Sequence, residues 1–129
     1  MAQARCACGQ LAVDVTGEPV LNALCHCDDC RRHTGSAFGW QAYFLEAQVG
    51  EPNGRSAART VPVFEPQVRH FCPDCGTTLW WTAGTAPGLI GIAGGGFEAG
   101  VLGEPIASYR DGQRCVWLDL PENWTRYPD

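Results

Sequence analysis

The chain has no lysine, and Met1 is its single methionine. Nine arginines face fourteen aspartates and glutamates, for a formal net charge of −5. A negative balance is a poor match for nucleic-acid phosphates or an anionic lipid surface, so no nucleic-acid partner is expected. No apolar run approaches the roughly 20 residues needed to cross a bilayer, and no membrane partner is expected either. Met1-Ala-Gln-Ala-Arg5 reaches the first cysteine without an apolar stretch, unlike a secretory leader, which points to a cytoplasmic location. A GxGxxG phosphate cradle is also missing. Gly94-Gly95-Gly96 lacks that spacing and reads as a turn.

Uninterrupted helical stretches are scarce as well. Sixteen glycines and nine prolines punctuate 129 residues every few positions and leave no room for a long helix. Length and composition, 45% hydrophobic and 18% charged, fit one folded domain over residues 1–129. The apolar residues alternate more often than they recur at helical spacing. Leu11, Val13 and Val15 share one strand face, and further strands are expected at 20–24, 37–45, 59–65, 67–71, 77–82, 89–93 and 114–118. The one plausible helical turn is 28–33. The expected fold is mainly β, with small antiparallel sheets packed around a zinc-stapled core.

Cysteine is plentiful, and its placement is the strongest signal. Seven of the eight fall in three clusters: Cys6-Ala-Cys8, Cys25-His-Cys27-Asp-Asp-Cys30 and Cys72-Pro-Asp-Cys75. In a reducing compartment such spacings more often bind metal than form disulfides, and a trio leaves one thiol unpaired. Structural zinc takes four protein ligands, whereas catalytic zinc commonly keeps three and leaves one position open. Pairing the outer clusters gives one closed site from Cys6, Cys8, Cys72 and Cys75. Gly9 and Gly76 follow the second thiol of each pair, where φ > 0 can turn amides toward sulfur. Cys25, Cys27 and Cys30 remain as a three-thiolate site with a vacancy, suited to a thiol substrate. Other readings stay open at this point. His26 or His33 could complete a second closed site, or the trio could be a metal-free redox cluster.

Cys115, alone between Arg114 and Val116, reads first as a buried small side chain and second as a nucleophile. Trp80, Trp81, Trp117 and Trp124 read as core or cleft wall.

The clusters together resemble those of the glutathione-dependent formaldehyde-activating enzyme family, which also includes centromere protein V. The residues that carry the resemblance are Cys6-Ala-Cys8-Gly9, Cys25-His-Cys27-x-x-Cys30-Arg-Arg-x-Thr34-Gly35-Ser36 and Phe71-Cys72-x-x-Cys75-Gly76-Thr77, with Trp117 and Leu120-Pro121 later. It runs from residue 6 to about 121. The resemblance implies a β-rich fold similar to methionine sulfoxide reductase B. It also implies a structural zinc on Cys6, Cys8, Cys72 and Cys75 and a catalytic zinc on Cys25, Cys27 and Cys30. Three ligands give fewer bonds to break than four, so the trio site is expected to be partly empty. The implied activity joins formaldehyde to glutathione as S-hydroxymethylglutathione, classed with carbon–sulfur lyases, so the expected partners are a small-molecule thiol and an aldehyde. Arg31, Arg32, Thr34 and Ser36 are the candidate contacts to glutathione. Two other functions compete with it: a zinc-stabilised binding module without catalysis, and a methionine-sulfoxide-reductase-like redox enzyme using Cys115.

Overall fold

A computed structural model describes residues 1–63 and 66–129. Ten strands and one α-helix follow in chain order among the described residues. They are β1 (Ala2–Arg5), β2 (Ala12–Val15), β3 (Leu21–Cys25), α1 (Asp28–Thr34), β4 (Gly39–Leu45), β5 (Ala57–Val61), β6 (Gln67–Phe71), β7 (Thr78–Ala83), β8 (Leu89–Ala93), β9 (Ala107–Tyr109) and β10 (Thr125–Tyr127). β1 and β2 form a two-stranded antiparallel sheet. The other eight form one sheet in the order β10-β9-β3-β4-β8-β7-β6-β5. Its pairings are antiparallel except that β9 runs parallel to both β3 and β10.

Period-two alternation assigns the two faces of the large sheet different tasks. Ala42, Ile92 and Trp80 lie in register across β4, β8 and β7. With Phe44 and Leu79 they meet Ala4, Val13 and Val15 of the small sheet, and Leu11 just before β2, in the main hydrophobic core. One residue along, Leu21, Tyr43, Gly91, Trp81 and Arg69 form the neighbouring row across β3, β4, β8, β7 and β6. Cys25 shares their face, because it pairs with Gly39 two steps along from Gln41. The face that the small sheet leaves uncovered therefore carries the trio.

Most expected strands form where alternation placed them, with two exceptions. The stretch expected at 59–65 is a strand only over Ala57–Val61, and Phe64 and Glu65 lie outside the described residues. The segment 114–118 is not a strand. It turns through Arg114 N to Asp111 O (3.0 Å) and Leu118 N to Cys115 O (3.0 Å), so its alternation has no sheet to face. Val116 and Trp117 are accordingly 94% and 73% exposed, which removes Trp117 from the expected core or cleft wall. Three short strands, β1, β9 and β10, carry no alternation long enough to announce them.

Gly94 shows how tightly the glycine turn after β8 is fitted. A Cβ there would sit 2.3 Å from the Trp40 ring, whose Nε1 donates to Asn22 Oδ1 at 2.7 Å. A Cβ on Gly95 would meet nothing within 4 Å. Gly94→Ala should therefore destabilise the fold by about 1–3 kcal/mol through overpacking, while Gly95→Ala should change it little. Thermal melts of the two variants check this, and equal midpoints would refute the fit.

Candidate functional site

The outer cysteine pairs sit in two matching turns. Cys6 N donates to Leu11 O and Cys72 N to Thr77 O, so each turn closes over the same five-residue span. Gly9 and Gly76 both adopt φ +81°, a left-handed conformation that side chains disfavour. Gly9 N donates to Cys6 O and Gly76 N to Cys72 O, and Leu11 N reaches Cys6 Sγ at 3.3 Å. The Thr77 hydroxyl joins the two turns, accepting from Ala7 N at 3.0 Å and lying 3.2 Å from Cys75 Sγ.

All four sulfurs lie within 4.8 Å of one another. Cys6 and Cys8 are 3.6 Å apart, and Cys8 and Cys72 are 3.7 Å apart. A tetrahedron of zinc–sulfur bonds near 2.3 Å has edges of about 3.8 Å, so the spacing fits a metal ion held by four thiolates. Gln10 was not foreseen from sequence. Its Nε2 donates to Cys72 Sγ at 3.0 Å and to Arg55 O at 2.7 Å.

The trio forms where β3 gives way to α1. Cys25 ends the strand, and Cys27 caps the helix, its sulfur accepting from Cys30 N at 3.3 Å. Asp28 and Asp29 occupy the first turn and Arg31, Arg32 and His33 the last, complementing the helix dipole. Three sulfurs thereby gather within 4.8 Å of one another, all buried. Gln41 Nε2 donates to Cys30 Sγ at 3.4 Å from the adjacent strand. In the absence of metal the Cys30 hydrogen bond holds the Cys25 thiol down at about 6, while that same bond and burial push Cys30 up. The donor set can hold a metal ion with three protein ligands.

The histidines do not close it. His26 is fully buried with Nε2 2.9 Å from Ser108 Oγ, and Ser108 in turn donates to Asp111 Oδ1 at 2.6 Å. Ser108 thus accepts a hydrogen bond from His26 Nε2–H, and the imidazole faces Ser108 and Asp111 rather than the trio. His33 gathers with Cys30 and Asp29, not with all three sulfurs, and Asp29 is ion-paired to Arg69.

Two cavities flank this region. One, of about 490 Å³, is bordered by Cys25, Cys30, Tyr43, Trp81, Arg69 and Arg110. The other, of about 600 Å³, is bordered by Arg5, Thr34, Ser36, Trp40, Cys75 and Gly95. His33, Gln41 and Trp81 border both. Thr34 and Ser36 thus lie on the second cavity, whose walls include no sulfur of the trio. Arg31 and Arg32 border neither, and Arg31 pairs with Asp28 in its own helix. Cys115 is half-buried rather than buried, and it too borders neither. Trp80 packs in the core, Trp81 forms cavity wall, and Trp124 is buried with Nε1 donating to Glu104 at 3.1 Å. Tyr43, Arg69 and Arg110 escaped the sequence reading because no local motif marks them. Only strand pairing brings them to the trio.

The sequence profile described as glutathione-dependent formaldehyde-activating enzyme matches residues 1–110, which takes in all three cysteine clusters and both cavities' arginines. Cys115 and Trp117 lie beyond it. Among solved structures, a Rhodobacter sphaeroides protein determined by structural genomics is similar in fold, with a TM-score of 0.60 and 18% identity. The likeness covers 75% of this chain and 88% of that one. No curated protein matches.

The two sulfur groups should differ in structural weight. A four-thiolate metal clip can contribute on the order of 10 kcal/mol to folding. Cys72→Ser is expected to lose the cooperative thermal transition, and Cys27→Ser to keep it while losing metal at the trio. Melting curves with metal analysis check both, and equally severe unfolding would mark the trio as a second structural clip.

Proposed function

We propose, because this chain belongs to the glutathione-dependent formaldehyde-activating enzyme family, that Cys25, Cys27 and Cys30 hold a zinc ion beside which glutathione and formaldehyde combine. The observation that carries this reading is a three-thiol group whose Cys25 and Cys30 open onto a cavity of about 490 Å³. That volume lies in the range of small-molecule sites, about 300–1,000 Å³. Cys6, Cys8, Cys72 and Cys75 hold a second, structural zinc in this reading, with a full set of four protein ligands and no position to spare.

Cys25, Cys27 and Cys30 would hold the zinc, which would supply a deprotonated thiol as the nucleophile. The rest falls to the chain. Gln41 fixes Cys30 by its hydrogen bond, and Arg69 ties α1 to β6 through Asp29, so the sulfurs keep their places. Trp81 and Leu21 form apolar wall that limits water. Arg110 supplies positive charge on the cavity for a substrate bearing carboxylates. In the reaction a carbon–sulfur bond forms, the carbonyl π bond breaks, and the thiol proton ends on the former carbonyl oxygen. The reverse reaction cleaves carbon from sulfur, which is lyase chemistry.

Purified protein should hold about two zinc ions per chain by the two-site reading, and graded chelation should strip the trio first. Formation of the glutathione–formaldehyde adduct, followed above its uncatalysed rate, should accelerate with the zinc-replete protein and fall to background for Cys27→Ser. Background rates with wild-type protein that holds both zincs would reject glutathione and formaldehyde as the substrates.

A further inference from the structure

The row Tyr43–Gly91–Trp81 crosses three adjacent strands on the face of the trio. A Cβ on Gly91 would lie 2.3 Å from Trp81 Nε1 and 2.4 Å from Cε2, so the indole lies directly over the bare glycine backbone. A glycine inside a strand often marks such a close approach. Having crossed Gly91, the indole donates from Nε1 to Tyr43 Oη at 3.1 Å, with the two rings edge-on at 87°. Both side chains border the cavity that Cys25 and Cys30 also border.

The direction of this hydrogen bond matters. An indole N–H can only donate, so the phenol oxygen is the acceptor and its own proton is left to give. Among the described residues no hydrogen bond uses that proton. Two other donors on the cavity are already committed: Gln41 to Cys30, and Arg69 to Asp29 and Gln67. Burial pushes the Tyr43 phenol pKa up, against the lowering effect of the Trp81 hydrogen bond, so the proton stays at neutral pH. A phenol that accepts one hydrogen bond is polarised toward donating another.

We infer that Tyr43 donates a hydrogen bond to the oxygen of a hydroxymethyl thioether, or of the aldehyde that becomes one, held beside Cys25 and Cys30, and that Trp81 aims it there across Gly91. The inference rests on the reading that a thiol substrate occupies this cavity. As the carbon–sulfur bond forms, the carbonyl π electrons move to oxygen. Tyr43 stabilises that oxygen by hydrogen bonding and remains protonated, because the proton finally gained by the oxygen is the one the thiol gave up. The ligand class this selects is a thiol with a hydroxyl or carbonyl oxygen one or two carbons from sulfur.

Calorimetric titration of the zinc-replete protein with 2-mercaptoethanol and with 1-propanethiol, which replaces the hydroxyl by a methyl, tests this without catalysis. Wild type should favour 2-mercaptoethanol by about fivefold more than Tyr43→Phe does, the worth of one neutral hydrogen bond. Trp81→Phe, which keeps Tyr43 but removes its donor, should show an intermediate ratio. Unchanged zinc content and melting transition in each variant would separate this from misfolding. In the adduct assay Tyr43→Phe should lower kcat by about 10²–10³, as loss of an oxyanion donor does, with the KM for glutathione little changed. If both thiols bind and the ratio is the same in wild type and Tyr43→Phe, the role of Tyr43 is overturned while the proposed function stands. If neither thiol binds the zinc-replete wild type, the proposed function and this inference fall together.

Discussion

Four thiol sulfurs drawn from residues 6, 8, 72 and 75 lie within 4.8 Å of one another, and as thiolates they can share that space only around a cation. The rest of the fold depends on this convergence. It fixes the loop after β1 to the turn between β6 and β7, chain segments more than sixty residues apart. The small sheet is thereby laid across one face of the large one, where Val13 and Val15 meet Phe44 and Ile92. Without it, a two-stranded sheet of four-residue strands would have little of its own to hold it in place.

Covering one face of a sheet leaves the other free. The core row ends in Trp80, and the next residue, Trp81, turns to the opposite face and becomes cavity wall. Adjacent tryptophans therefore do unrelated jobs. The same alternation splits β4, which sends Ala42 and Phe44 into the core and Gln41 and Tyr43 toward the trio. Stability and chemistry share strands without sharing side chains.

Within the trio Cys25 is the thiol held low, first by its Cys30 hydrogen bond and in part by the Arg110 guanidinium. Arg110 follows β9 at the cavity's edge and is the single non-glycine residue with positive φ among those described, at +53°. Holding a side chain there costs on the order of 1–3 kcal/mol and persists only where surrounding contacts determine it. Behind it, Tyr109 O accepts the His26 amide at 3.0 Å, and His26 is anchored through Ser108 to Asp111, which pairs with Arg114 and Arg126. The turn bearing Cys25 and Cys27 is thus fastened from the C-terminal segment as well as from β4.

The metal-ligand pattern was legible in the sequence because thiol spacing is local. Two residues apart, or three, is close enough for one turn to aim both sulfurs, and a following glycine with φ > 0 is readable from the letter alone. Strand positions were legible for the same reason, since alternation is a property of consecutive residues. What alternation could not say was which face would be covered, so Trp81 and Tyr43 looked like any other strand aromatics. It also misled at 114–118, where among the described residues no neighbouring strand pairs with the pattern. The placement of Arg31, Arg32, Thr34 and Ser36 away from the trio's cavity shows the same limit: closeness in sequence does not fix which wall a side chain borders. The sequence by itself determined which atoms can bind metal. Only the tertiary structure decided what faces those sulfurs, because Tyr43, Trp81, Arg69 and Arg110 come together through hydrogen-bonded register between strands distant in the chain, and register is not written in any one of them.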